Sequence, residues 1–521
     1  MMVNNNPYAL NDYLSAQVAW NRFKKLVWIS DDARSMGIHV TAGKGSGKSR
    51  FMGRFIGWLD FIRGVPQVIF DPHGPTIDNF LDKLIRMPPD IQKKLWPRVL
   101  YIDMSGKEGS VIPFPLFYRF GQESLYEISQ RYLDVVRKID PFLQAASIEG
   151  WNALWRVGTH SGMILAALGY QISEAEDLIL NPQKWQSQLN QAISIYPEIA
   201  PSVSYLMNLS QQKEAIRSRK MESYLNKISI FALDNSMKAM FGSSQKGLDW
   251  DEVVKQKITV LLDFRHEHDV ERRRFKMVWA FNYLMDYVKQ RGAGRHQPIG
   301  LIIDELTSLF SLQALSSDLF GAEMDELINV LARNYRLWLT IAHQEMFQLD
   351  DRTFKSLMTM GTQILGVTTD PLAAKYFSEL FFKYRPYWVK KVEAVYASEM
   401  GMPFQIDERT VEFTSDEQLL MQSYIFRDQQ AFHFMVRPAP GEGNIQAKLR
   451  TISIANLDKD IYPHPVFVPL ARQKLMQRDG IAIEQILREV EDRKMKARLL
   501  QDGRSVSNQK KEKSKDIPIW D

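Results

Sequence analysis

Residues 42–49 read AGKGSGKS, and three glycines followed by a lysine and a hydroxyl suit one task, the holding of a polyphosphate. The glycines let the backbone curl so that several N–H groups face one anion, and a helix start adds its dipole. In that arrangement Lys48 reaches the β- and γ-phosphates and the Ser49 hydroxyl ligates Mg²⁺. The loop is Ala42, Gly43, Lys44, Gly45, Ser46, Gly47, Lys48 and Ser49, with Ala42 where the strict pattern has glycine. Alanine can hold that place if its φ stays negative. The bland alternative is a glycine-rich turn ahead of a helix.

A second group of reactive residues lies far downstream. Leu301-Ile302-Ile303-Asp304-Glu305 is an apolar run ending in two carboxylates. At the carboxyl end of a strand, Asp304 would hold the Mg²⁺ shell and Glu305 would polarise an attacking water. Alone, such a run is also a solvated strand end. Gln344 closes the next apolar run, Thr340-Ile341-Ala342-His343, where a neutral amide can sense a γ-phosphate or equally be a polar strand end. Arg333 and Arg336 precede it; either could enter a neighbouring subunit's site, or both could complete a helix dipole.

These residues need strands to carry them, and the chain supplies a matching pattern. Residues 37–41, 67–71, 98–103, 257–264, 298–304, 337–343 and 362–368 read as buried strands, with helical spacing between most of them. Alternation with helices predicts a mostly parallel sheet covered on both faces. The second strand ends in Asp71-Pro72-His73-Gly74, either a ligand-facing cluster or an Asp-Pro turn with His73 on the surface. Residues 387–396 and 431–436 are further candidate strands.

The domain plan follows: 1–34 an N-terminal helical segment (helix over 11–26), 35–119 with 246–470 the α/β core, 120–245 an all-helical insertion, and 471–521 a charged helix over 481–500 and a disordered tail. Trp151, Trp155 and Trp185 read as core anchors of the insertion. Arg272, Arg273 and Arg274 read as a solvated face or a subunit contact rather than a pore element.

Composition sets outer limits. With 45% hydrophobic and 24% charged residues, the chain has the balance of a globular protein. Its lack of cysteine excludes disulfides, thiolate zinc sites and cysteine catalysis, and suits a reducing cytoplasm. No apolar run is long enough to span a bilayer, and the polar N-terminus is unlike a signal peptide. Residues 471–521 carry 13 Lys/Arg against 9 Asp/Glu, leaving the rest near neutral. Nucleic acid would therefore be met by a local patch, a pore or the tail.

AGKGSGKS, then FDPHG one strand on, then LIIDE and LTIAHQ, together resemble the HerA/FtsK superfamily of P-loop ATPases. Their order is most similar to type IV secretion coupling proteins (the TraD/TraG group) and HerA-like DNA translocases. LNKIS at 225–229 and the stretch FGSSQKGLDWDEVVKQKITVLLDF add to the likeness, which covers about residues 35–375. The resemblance implies a RecA-like P-loop core, ATP and Mg²⁺ as cofactors, and a homohexameric ring moving DNA in conjugation or another mobile-element process. It gives Gln344 the sensor role and Arg333 the trans-acting role. It also implies a cytoplasmic protein, peripheral at the inner membrane through partners such as a relaxase, nuclease or secretion-channel component. Departures are the short segment before the loop, with room for neither membrane helices nor a β-barrel, and Phe114-Pro115-Leu116 where the family often has Asn-Pro-Leu. Two rival expectations are a protein-secretion ATPase and a slowly hydrolysing, ATP-switched assembly scaffold.

Overall fold

The structure is a computed structural model that describes residues 30–119, 121–139, 148–245, 247–294, 296–309, 324–344, 349, 351–382, 384–399, 402–439, 450–453 and 462–499. The helix expected over 11–26 and the tail beyond 500 lie outside these residues. The chain forms two compact units, residues 1–104 with 250–475, and residues 105–249 with 476–521.

Thirteen strands are described: β1 (Ile38–Thr41), β2 (Gln67–Asp71), β3 (Val99–Asp103), β4 (Ser110–Val111), β5 (Thr259–Asp263), β6 (Ile299–Asp304), β7 (Leu337–His343), β8 (Thr362–Leu365), β9 (Val389–Glu399), β10 (Met402–Glu412), β11 (His433–Arg437), β12 (Arg450–Ser453) and β13 (Ile481–Ala482). In the first unit, nine of them make one sheet in the order β12-β11-β8-β1-β7-β6-β2-β5-β3. From β8 to β3 every pairing is parallel. Nearly all the parallel strands are buried along their whole length, as expected of a sheet covered on both faces. The fold is thus the mostly parallel α/β sheet that the strand–helix alternation predicts, in the RecA-like arrangement.

Three features go beyond that expectation. β11 and β12 add an antiparallel edge beside β8. β9 and β10 form a separate two-stranded hairpin, of which the sequence pattern exposes only the first arm. β8 stops at Leu365, three residues before the expected end, and the Gly366 N–H completes its pairing with β1 by donating to the Thr41 carbonyl at 2.9 Å.

After β1 the chain passes through the glycine loop into a continuous helical stretch, Lys48–Phe51, a π-helical Met52–Gly57 and Trp58–Ile62. Its residues from Phe51 to Phe61 are buried. No helix among the described residues is long and apolar enough to cross a membrane.

The second unit is mainly helical, its longest helices being Leu125–Ile139, Ile148–Leu168, Glu214–Ile228 and Ile483–Leu499. The expected helix over 481–500 begins two residues later, because Ile481 and Ala482 pair with Val111 and Ser110 as β13 and β4. Trp185 is buried. Trp155 is half-buried and donates to Gln130 Oε1 at 2.7 Å, and half-buried Trp151 lies beneath Arg137.

Candidate active site

The sheet order brings the two reactive stretches together. β7 separates β1, which carries the glycine loop, from β6, which ends in Asp304. Register aligns Thr41 with His343 and Ala342 with Asp304, so all three strands end at one level. This carboxyl edge is where open α/β sheets place their ligands.

Loop residues 42–47 are anchored by main-chain bonds to distant segments. Gly43 N–H donates to Val367 O at 2.8 Å, and Phe432 N–H donates to Ser46 O at 2.8 Å. Ala42 remains outside the positive-φ region, which explains why glycine is dispensable there. Its methyl fits against Gly366, where an added Cβ would come within 2.7 Å of the Ala42 Cβ. Gly47 cannot be exchanged in the same way. It sits at φ 91° and caps the helix that begins at Lys48.

Lys48 Nζ lies 3.2 Å from Asp304 Oδ1 and 3.3 Å from Glu305 Oε2. Ser49 Oγ donates to Asp304 Oδ2 at 2.7 Å. All but Ser49 are buried and Ser49 is partly so. Burial alone would raise the Asp304 carboxyl, but the Lys48 charge and hydroxyl bonds from Thr76 and Ser49 hold it below its usual range. Burial would lower the Lys48 ammonium, yet Asp304 and Glu305 outweigh that and raise it. Both groups are therefore charged at neutral pH.

Glu305 adopts φ 77°, a conformation rare for any residue with a side chain. Its N–H donates to Ala342 O at 3.1 Å, and Thr307 Oγ1 donates to Glu305 Oε1 at 2.7 Å. Backbone strain of this kind concentrates at functional sites, held by its surroundings. Here the turn carries the carboxylate back towards Lys48.

Gln344 follows β7 directly and is partly exposed, emerging between the glycine loop and the Asp304-Glu305 pair. Beneath it, His343 Nε2 lies 2.7 Å from His39 Nε2, and Gln363 Oε1 is 2.5 Å from His39 Nδ1. Burial lowers the His39 pKa to about 4, so His39 is neutral at neutral pH in this polar cluster joining β1, β7 and β8. Arg333 is exposed on the short helix Ala332–Asn334. Among the described residues it makes no ion pair, and nothing draws it into its own chain's site. Lys44 and Gly45 are exposed at the loop's tip.

Two residues with no motif to mark them belong to this site. Thr76 Oγ1 donates to Asp304 Oδ2 at 2.5 Å from the start of the helix Pro75–Ile85. Phe432 covers the glycine loop. The FDPHG turn that leads to Thr76 is organised by Asp71, whose carboxylate accepts from the amides of His73, Gly74 and Ile77 at 3.0, 2.6 and 3.0 Å. His73 itself is exposed, in keeping with the Asp-Pro turn.

No protein-family model and no curated protein matches the chain. Among solved structures it is similar to the bacterial conjugative coupling protein TrwB (TM-score 0.49, 14% identity, 84% of this chain and 89% of that one). The plasmid coupling protein TrwB in complex with a non-hydrolysable ATP analogue gives TM-score 0.49 at 15% identity, over 84% of this chain and 90% of that one. VirB4 of Thermoanaerobacter pseudethanolicus gives TM-score 0.46 at 12% identity, over 84% and 94%.

Proposed function

We propose that the chain is a Mg²⁺-dependent ATPase that works as a ring-shaped, DNA-translocating motor. The observation that carries the ATPase reading is the convergence of Lys48, Ser49, Asp304 and Glu305 at the carboxyl edge of one parallel sheet. In this reading Lys48 exchanges its carboxylate contacts for the β- and γ-phosphates, to which the amides of residues 47–49 at the helix start also donate. Ser49 and Asp304, already hydrogen-bonded to each other, offer the few hard oxygen ligands that Mg²⁺ takes from protein. Bound Mg²⁺ would neutralise charge developing on the phosphate oxygens. Glu305, freed from Lys48, orients water for in-line attack, and Gln344 senses the γ-phosphate.

The motor reading draws on the motif order AGKGSGKS, FDPHG, LIIDE and LTIAHQ, and on an exposed Arg333 that makes no ion pair among the described residues and could act on a neighbouring subunit. It makes the chain a hexamer with DNA as substrate and conjugation or a related process as its setting. Residues 120–245 would select cargo or a partner such as a relaxase, nuclease or secretion-channel component.

Steady-state ATP hydrolysis with and without single- and double-stranded DNA, beside Glu305→Gln, tests both parts. Turnover raised severalfold by DNA and abolished in Glu305→Gln supports the motor. Glu305-dependent turnover that ignores DNA would point to protein secretion. ATP binding with barely any turnover would point to a switched scaffold.

A further inference from the structure

The segment between the helix Ser415–Arg427 and β11 crosses the glycine loop, and its residues have no part in the chemistry described above. Phe432 takes φ 63°, in the left-handed region disfavoured for an aromatic residue. Its N–H is fixed to the Ser46 carbonyl. One ring edge lies against Gly47, where an added Cβ would be 2.3 Å from Phe432 Cδ1. The Arg50 guanidinium covers a ring face, its carbon 5.4 Å from the centroid. The ring is only half-buried, so its remaining surface is open to solvent beside the phosphate loop.

An independent observation comes three residues earlier. Gln429 has both amide atoms, Oε1 and Nε2, buried with no hydrogen-bond partner among the described residues. Burying an unsatisfied amide is costly, and such groups in a native fold call for an explanation. A side-chain amide offers one acceptor beside two donors, which matches the paired donor and acceptor on a purine edge.

We infer that the 429–432 turn is the nucleobase-binding element of the nucleotide site, with Phe432 stacking the base and Gln429 hydrogen-bonding its edge. The inference rests on the phosphate-loop reading and adds the part of the ligand that this reading leaves unplaced. A phosphate loop grips the polyphosphate alone. An aromatic face at its rim, anchored to the loop's own backbone, ties base binding to loop geometry.

Calorimetric titration of the full chain with ATP, GTP and inorganic tripolyphosphate, each with Mg²⁺, separates these contributions. Phe432→Leu keeps an apolar side chain against Gly47 but removes the π face. It should weaken ATP binding by about tenfold, within the range for aromatic–base stacking, and leave tripolyphosphate unchanged. Phe432→Tyr should restore ATP binding. Gln429→Ala should weaken one purine nucleotide more than the other, again without affecting tripolyphosphate. Equal loss of ATP and tripolyphosphate in Phe432→Leu would reduce the ring to a prop for the loop and overturn the inference. So would unchanged ATP binding in both variants. If the wild type binds tripolyphosphate and ATP equally, the base has no site here although the loop works. If it binds neither, the phosphate-loop reading itself fails.

Discussion

Asp71 and Asp304 end neighbouring strands. β2 and β6 run parallel with Phe70 opposite Ile303, so the two carboxylates stand side by side, both buried. Their partners nevertheless make them opposites. Asp304 is met by side chains, an ammonium and two hydroxyls, which keep it ionised and leave its oxygens where a cation could be held. Asp71 is met by backbone amides, which spend its oxygens on ordering a turn. Burial, then the nearby charges of Asp304 and Asp263, push the Asp71 carboxyl up to about 7 despite those bonds. Strand-end position alone therefore does not mark a catalytic carboxylate. The donors around it do.

The largest contrast should appear in turnover. Asp304→Asn removes the charge that complements Lys48 and the proposed cation, and Glu305→Gln removes the base. Each should lower kcat by at least about a hundredfold, the range expected when a positioned general base is lost. Glu305→Gln should still bind ATP, since none of the proposed phosphate contacts uses its carboxylate. Asp71→Asn should change kcat only a few-fold. Steady-state ATPase assays of the three variants check this. Comparable losses in Asp71→Asn and Asp304→Asn would erase the distinction between the two strand ends.

A stability measurement sharpens the same comparison. In the folded chain Asp71 holds its proton to about pH 7, whereas an unfolded aspartate releases it near 4. Between those values the folded state binds more protons, so this residue's contribution is full below pH 4 and is lost as pH rises through 7. Asp304, held below its usual range, has the opposite sign: its contribution is present above pH 4 and is lost in acid. Thermal melts at pH 5 and pH 8 should therefore find the wild type losing more stability with rising pH than Asp71→Asn does. Equal pH dependence in both chains would show that Asp71 is ionised throughout.

How much of this was legible in the sequence depended on how local each signal is. LWLTIAH spans β7 residue for residue, because a buried parallel strand is a continuous apolar run with polar residues at its ends. The glycine loop and the Asp304-Glu305 pair are likewise short motifs, and the sheet brings them into contact across 255 to 257 positions. Thr76 and Phe432 carry no local mark. A threonine in a helix's first turn and an aromatic before a strand are common, and only the tertiary fold sets one against Asp304 and the other over Gly47. The short β12 and the second hairpin arm, which contains Pro403, were obscure for a related reason. Their pairing partners, not their own patterning, make them strands.

Thr76 is where the two aspartates meet. Asp71 accepts the Ile77 amide and so fixes the first turn of the helix Pro75–Ile85, and that turn delivers the Thr76 hydroxyl to Asp304. The backbone-bound aspartate thus positions a donor for the side-chain-bound one. Thr76→Val keeps the volume and the helix but removes the hydrogen bond to a charged acceptor, for which about tenfold is a fair expectation. Because the lost bond orients the proposed Mg²⁺ ligand, the change should raise the Mg²⁺ concentration needed for half-maximal ATPase more than it lowers kcat at saturating Mg²⁺. Thr76→Ser should restore the wild-type requirement. An unchanged Mg²⁺ requirement in Thr76→Val would mean that Asp304 is held by Lys48 and Ser49 alone, leaving Asp71 with no influence on the site beyond its own turn.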